Sequence, residues 1–230
     1  MRCPPGWRTA SWVRCGGKCV PAWEPKTQHR DTTPRRCGGT MTVEDKGRAW
    51  SSTILAGLWE GNAAARAALT GEVRGLSDAQ LGFRPTPGRW SIGEILDHLC
   101  LAERSITRTI SRLLQQAAGL GRIGEPGSLE TPPQQIDLDV YNRAASAPES
   151  VMPSPNRPIE RLLAGLDESR ERLVEVTRRV DARVVGNVRL PHFQLGDLNF
   201  YQWLAVEGAH EAKHLAQIRR IKADPGFPKQ

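Results

Sequence analysis

The sequence predicts an all-α protein, a four-helix bundle with a long crossing loop between the second and third helices. In four segments, apolar residues recur every three or four positions, which is the period of a helix that buries one face. The apolar–polar alternation that marks strands is almost absent. Residues 119–157 lose the helical period and contain six prolines, so this stretch is predicted to be the crossing loop.

The four helices follow one another in order. The first begins near residue 47 and is separated from the second by a Pro–Gly break at 85–88. The third is predicted over 159–180. A turn-rich stretch at 186–196 then leads to the fourth helix, over about 198–222.

The start of the second helix fixes its phase. Ser91 and Glu94 have the spacing of a capping box, and Trp90 and Ile95 are placed to form a hydrophobic staple. His98 follows Glu94 by four residues and therefore lies on the same face of the helix.

Residues 1–46 differ from the rest of the chain and are predicted to be a disordered tail, so the folded domain is expected to span 47–225. The tail has no hydrophobic period and is rich in Pro and Gly. The net charge is +7, but residues 1–40 hold eight basic and two acidic residues, against 24 basic and 23 acidic in the remainder. We therefore expect no basic stripe that could hold phosphates in the domain, and no nucleic-acid partner.

The cysteines of the tail leave other interpretations open. Cys15 and Cys19 have a spacing that a zinc knuckle could use, with Cys3 and Cys37 as outlying partners. Alternatively, Met41 is the true start and the residues before it are a translated leader.

Two further classes are set aside by the pattern of apolar residues. No window of about 18 apolar residues exists, so no membrane span is expected. Residues 1–17 lack the apolar segment of a secretory signal, and we expect a cytoplasmic protein. A homodimer is compatible with the sequence, although no exposed face for it can be identified.

Three of the five histidines lie in predicted helices, and they are the strongest functional signal. His210 and His214 are one turn apart on the fourth helix, where two imidazoles can bind one divalent metal. His98, from the second helix, would complete a three-nitrogen site. Imidazole ligands suit Zn, Ni or Fe. The alternatives are a buried structural histidine at 98 and, if the helix phase is off by one, a surface pair on the fourth helix.

Two more specific motifs fit less well. Residues 210–214 read H-E-x-x-H, as in zinc proteases, but no His or Glu follows as the third ligand. Glu211 is therefore expected to be solvated or to hydrogen-bond to a metal ligand. Glu207 and His210 form the Glu-x-x-His of di-iron bundles, but the matching second motif is missing because Glu94 and His98 are four apart. One mononuclear site fits better.

The chain resembles the DinB-like (DNA-damage-inducible) metal-binding four-helix bundles over about residues 47–222. Residues 89–99, RWSIGEILDHL, are similar to the family's W-S-x-x-E-x-x-x-H helix start, and residues 210–218, HEAKHLAQI, to its H-x-x-x-H-x-x-Q-I helix end. Residues 193–196 lie where the family often has a short Gly turn. The family name does not imply DNA binding.

The resemblance implies that His98, His210 and His214 are the metal ligands. It also implies an activity, because characterised members of the family include transferases that join a low-molecular-weight thiol, such as bacillithiol or mycothiol, to an electrophile. The expected partners are therefore a thiol and a small electrophile, and the expected function is metal-dependent thiol S-transfer or hydrolysis. The alternative is a non-enzymatic bundle that binds metal or a partner.

Supporting roles follow from helical spacing. Glu207 and Gln217 lie about one turn either side of the histidine pair and are candidates for orienting the imidazoles, with Glu94 as a third candidate whose main role is the cap. His192, in the loop before the fourth helix, is expected to lie in solvent, and the alternative is that it lines the mouth of the pocket. Cys100 is expected to be a buried small residue rather than a nucleophile.

Overall fold

A computed structural model describes residues 53–120, 141, 146–178 and 188–229, together with the backbone of two short strands near the N-terminus. The chain divides into two units, 1–47 and 48–230. In the first unit, β1 (Trp12–Cys15) and β2 (Lys18–Pro21) form an antiparallel pair. This hairpin is a local difference from the predicted disordered tail. The rest of the tail, and the side chains of its proposed zinc ligands, lie outside the described residues.

The second unit is mainly helical, and the prediction of a four-helix bundle is confirmed. None of the helices in the described part of the chain is both long and apolar enough to cross a membrane. The elements are α1 (Thr53–Val73), α2 (Asp78–Gly82), α3 (Ile92–Gly119), a 3₁₀ helix (Glu149–Val151), α4 (Ile159–Arg178), β3 (Arg189–His192), β4 (Gly196–Asn199) and α5 (Phe200–Lys222).

Four of these elements are absent from the sequence prediction: α2, the 3₁₀ helix, β3 and β4. The short helix α2 has its own capping box, in which Ser77 and Gln80 cap each other. Strands β3 and β4 pair as an antiparallel hairpin in the stretch predicted to be turns, and Gly196, with φ of 72°, provides the left-handed residue at its turn. These elements are too short to show a hydrophobic periodicity that would reveal them in the sequence.

The predicted cap of α3 is present. The Ser91 hydroxyl accepts from the Glu94 amide at 3.3 Å, and Glu94 Oε2 accepts from the Ser91 amide at 2.8 Å. Helix α5 begins in the same way, with Asn199 and Gln202 as the reciprocal pair. The phase of both histidine-bearing helices is thus set by their first turns.

The apolar core consists of two clusters, and their composition gives the helix directions. Cluster A combines the first halves of α1 and α5 with the second halves of α3 and α4, whereas cluster B combines the opposite halves. Helices α3 and α4 therefore run in the same direction, antiparallel to α1 and α5. A chain that leaves α3 at one end must return along the bundle before α4 begins, which explains the long crossing segment.

A buried ionic layer separates the two clusters and connects all four long helices. Arg66 of α1 donates to Glu103 of α3 at 2.9 Å and to Glu211 of α5 at 2.5 Å, and Arg170 of α4 contacts the same two carboxylates at 2.5 and 3.1 Å. Glu207 lies 3.5 Å from Arg170. All five side chains are at most 11% exposed.

The charges of this layer balance when one carboxyl is protonated. Three carboxylates face two guanidinium groups, and burial, together with the neighbouring Glu103 and Glu211, raises the pKa of Glu207 well above its ordinary range. With a proton on Glu207, the layer contains two positive and two negative groups. A neutral, paired arrangement is the form in which charged side chains are tolerated in a core.

Candidate metal centre

The structure brings His98, His210 and His214 together. The Nε2 atom of His210 lies 3.2 Å from that of His98 and 3.0 Å from that of His214. One ligand nitrogen from each of the three rings lies within 4.8 Å of the others, and the cluster is largely buried. The α5 pair is one turn apart, as its spacing predicts, and α3 supplies the third ring from a neighbouring helix.

The hydrogen bonds at the Nδ1 atoms of His98 and His214 leave the Nε2 lone pairs of these rings facing the middle of the histidine cluster. The Nδ1 atom of His98 lies 2.8 Å from the Val151 carbonyl, which can only accept, so this nitrogen carries the proton. The Nδ1 atom of His214 likewise donates to Gln217 Oε1 at 3.0 Å. In the neutral rings, both Nε2 atoms are therefore unprotonated acceptors, and one proton on His210 Nε2 can satisfy only one of them. This donor set fits a divalent cation, which all three lone pairs would bind.

The environment keeps the three rings neutral, which is the state that binds metal. Burial lowers the pKa of all three imidazoles below the ordinary value, to about 3 for His214 and well below 6.5 for His210. For His210, the proximity of the other two rings lowers the pKa further. Cation binding near neutral pH therefore requires no net release of protons, and a proton on His210 Nε2 would move to Nδ1 of the same ring.

The segment before α4 is held by two adjacent residues of α3. His98 holds the Val151 carbonyl, while the buried Asp97 carboxylate accepts from the Ser154 amide at 2.7 Å and lies 3.3 Å from Arg157. Asp97 points away from the three rings, as expected of a helical neighbour of His98. It anchors the segment whose Val151 carbonyl orients the His98 ring.

Gln217 orients His214, and we expect its loss to weaken metal binding. Because Gln217→Leu would remove the acceptor that fixes the ring and its tautomer, the metal affinity should fall by about 10–100-fold. Competition against a chelating indicator would measure this fall. The control is Gln116→Leu, an exposed glutamine of α3. Equal affinities for Gln217→Leu and the unmodified protein would contradict this role.

Two aromatic residues pack against the histidines. The Trp90 ring lies 4.7 Å from the His98 ring and 6.4 Å from the His214 ring, between centroids. The Tyr141 ring lies 6.3 Å from that of His210, edge to face. Sequence reasoning assigned Trp90 only to the staple and Tyr141 only to the crossing loop. For Trp90, its position before the cap of a histidine-bearing helix is a usable signal, whereas nothing in the sequence marks Tyr141.

Lys213 places a positive charge beside the centre. Its Nζ atom donates to the Tyr141 carbonyl at 2.8 Å and lies 4.9 Å from the centre of the Tyr141 ring. Partial burial lowers its pKa from the ordinary value. Its charge in turn contributes to lowering the pKa of His98, His210 and His214.

The glutamates of the sequence prediction lie elsewhere. Both carboxylate oxygens of Glu94 are occupied away from the rings, one by the cap and the other by Arg84 at 2.7 Å. Glu207 and Glu211 lie in the ionic layer instead, where they are 3.5 and 3.1 Å from Arg170. The expectation that Glu211 is solvated was wrong, since its side chain is 0% exposed.

His192 also differs from the prediction. It is buried rather than solvated, with its ring 6.2 Å from that of Tyr141 and 5.2 Å from that of Trp203. Its Nδ1 atom accepts from two amides of the β3–β4 turn, and burial lowers its pKa to about 4. Cys100 is buried as expected, and its thiol donates to the Gly165 carbonyl at 3.3 Å.

Comparisons with known proteins show the family and the fold of the chain. The chain is 29% identical over 158 residues to the uncharacterized protein YuaE of Bacillus subtilis (strain 168), across 66% of this chain and 88% of that protein. Its fold is similar to that of TT2238, a four-helix bundle protein, with a TM-score of 0.50 and 23% identity over 72% of this chain and 98% of the other. The family model of the DinB superfamily matches residues 62–218, more than half of the chain and all three clustered histidines. The protein is therefore a member of the DinB superfamily.

Proposed function

We propose that the protein is a metal-dependent thiol S-transferase that joins a low-molecular-weight thiol to a small electrophile. The observation that carries this proposal is the convergence of three neutral imidazole nitrogens, from His98, His210 and His214, within 4.8 Å of one another. Three nitrogen ligands leave a coordination position open, which is typical of catalytic rather than structural sites. A divalent metal held there, Zn, Ni or Fe, would supply the Lewis acidity that lowers the pKa of a thiol.

The residues around the histidines would prepare the reaction. The Val151 carbonyl and Gln217 hold two of the rings in the orientation that directs their lone pairs inward. Trp90 and Tyr141 cover the rings with aromatic surface and so exclude water from part of the site. Lys213 would attract a negatively charged group on the thiol or the electrophile.

The transfer reaction is balanced without any further reactant. A sulfur–carbon bond forms while the bond between that carbon and its leaving group breaks, and the leaving group departs with the electron pair. The thiol proton passes to solvent. The superfamily includes metal-binding enzymes, which supports an enzymatic function of this kind. A hydrolase that uses water in place of the thiol and a bundle that only binds metal are the competing functions.

Turnover with thiols would test the proposal. Metal-loaded protein is incubated with bacillithiol, mycothiol or cysteine and with monochlorobimane, and thioether formation is followed by fluorescence and mass spectrometry. We expect metal-dependent thioether formation that His210→Ala abolishes. Metal-dependent hydrolysis of monochlorobimane, with release of chloride, that is equally fast without thiol would indicate the hydrolase. Stoichiometric metal binding without any product, over this panel of thiols, would indicate the non-enzymatic bundle and overturn the proposal.

A further inference from the structure

An open groove of about 660 Å³ lies between α3 and α4, and every residue that lines it is polar or charged. Four arginines line the groove together with one glutamate and four neutral polar residues. The aliphatic stems of the arginines contribute apolar surface to the walls, while their guanidinium groups carry the charge of the groove.

The arginines form a basic row, contrary to the expectation of no basic stripe in the domain. Arg104, Arg108 and Arg112 are spaced by four residues along one face of α3, and Arg172 faces them from α4. The expectation relied on the net charge of the whole domain. Net charge does not show how charges are distributed over the surface, and the groove is lined by four arginines but only one carboxylate.

Two of these arginines have no acidic partner in the described part of the chain. Arg104 pairs with Glu168 at 2.8 Å, and Arg172 pairs with Glu175 at 2.5 Å. Glu168 is the one carboxylate of the lining and is already paired. Arg108 and Arg112 are exposed, and no carboxylate among the described residues pairs with either of them. Like charges one turn apart on a helix destabilise it, so a bound anion would relieve this repulsion.

We propose that this groove binds a small molecule with two or more linked phosphoryl groups. Residues four apart on a helix are displaced by about 6 Å along its axis, and the long side chains of Arg108 and Arg112 can converge from there on linked phosphoryl groups. The guanidinium fork binds phosphate oxygens in a bidentate manner, and Arg172 adds charge from the opposite wall. This inference does not depend on the histidine centre or on the function proposed for it.

Calorimetric titration with inorganic tripolyphosphate tests the proposal. We expect saturable binding that weakens as salt is added, because exposed charges are screened. The double variant Arg108→Gln/Arg112→Gln should lose about tenfold or more in affinity, since it removes two charged donors. The matched control Arg161→Gln/Arg220→Gln removes the same charge from exposed positions that do not line the groove, and it should bind as the unmodified protein does.

Each of the following outcomes would overturn the proposal. One is the absence of saturable binding, or an equal loss of affinity in both double variants. Another is the loss of binding in metal-free His98→Ala protein, because tripolyphosphate would then be acting as a chelator at the histidines. The third is an oligonucleotide without terminal phosphate that binds more tightly than tripolyphosphate and depends on the same two arginines. Binding retained in His98→Ala supports the groove.

Discussion

Replacing His210 with alanine is expected to reduce the metal content from about one equivalent per chain to near zero. The Nε2 atom of His210 lies within 3.2 Å of both other Nε2 atoms, so it is the nitrogen that links the other two. The remaining two imidazoles would hold a metal far more weakly than three. Elemental analysis of protein dialysed against trace metal would measure the change.

Unfolding experiments give this prediction a second, independent readout. A saturating metal should raise the free energy of unfolding of the unmodified protein by about 4 kcal/mol at a thousand times its dissociation constant, and should leave His210→Ala unchanged. Without metal, the variant should be somewhat less stable than the original, because the Nε2 atoms of His98 and His214 lose the ring that can donate to one of them. The control His192→Ala removes a buried histidine outside the cluster and should keep its metal. Equal metal content in both variants would exclude the proposed ligand set.

The largest effect on stability is expected from Arg170→Met. This change leaves the carboxylates of Glu103 and Glu211 with Arg66 as their only guanidinium partner in the described network, and it removes the guanidinium group that lies 3.5 Å from Glu207. Removing one partner from a buried ion pair costs about 3–5 kcal/mol, because the remaining charge is neither paired nor hydrated. Chemical denaturation of the metal-free protein would measure the loss.

Two comparisons separate this layer from an ordinary surface ion pair. Arg104→Met breaks the exposed pair with Glu168 and should cost less than about 1 kcal/mol. If Arg170→Met does not fold, Ser169→Ala offers a milder test, since it removes only the hydroxyl that donates to Glu103 and should cost about 1–3 kcal/mol. Costs below about 0.5 kcal/mol for Arg170→Met would show that the layer does not stabilise the fold.

The helices were predictable because their apolar faces repeat with a clear period and because Ser91 and Glu94 mark the start of α3. The meeting of His98 with the α5 pair depends on how two distant segments pack, and the resemblance to a known family supplied that information. The ionic layer was missed because charged residues are usually read as surface positions. Its signal was nevertheless present: Glu207 and Glu211 fall where α5 passes from one apolar cluster to the other.

The surroundings of the histidines were less predictable. Trp90 reaches the rings because the chain enters α3 beside them, and Val151 reaches His98 from a proline-rich stretch with no period. His192 was misplaced because a four-residue strand leaves no pattern, and its burial comes from aromatic neighbours distant in sequence. Contacts of this kind arise from tertiary packing, which local spacing does not encode.

The bond between His98 and the Val151 carbonyl couples two equilibria. Metal binding favours the ring orientation in which Nδ1 donates to Val151, and it therefore favours the docked form of the segment that Asp97 also holds. Such coupling is reciprocal. A substrate or partner that displaces this segment must lower the metal affinity by the same factor by which bound metal lowers the affinity for that substrate or partner. The concentration of free metal in the cell would then set the fraction of molecules in which this segment is undocked. Undocking of the segment would in turn set the residence time of the metal.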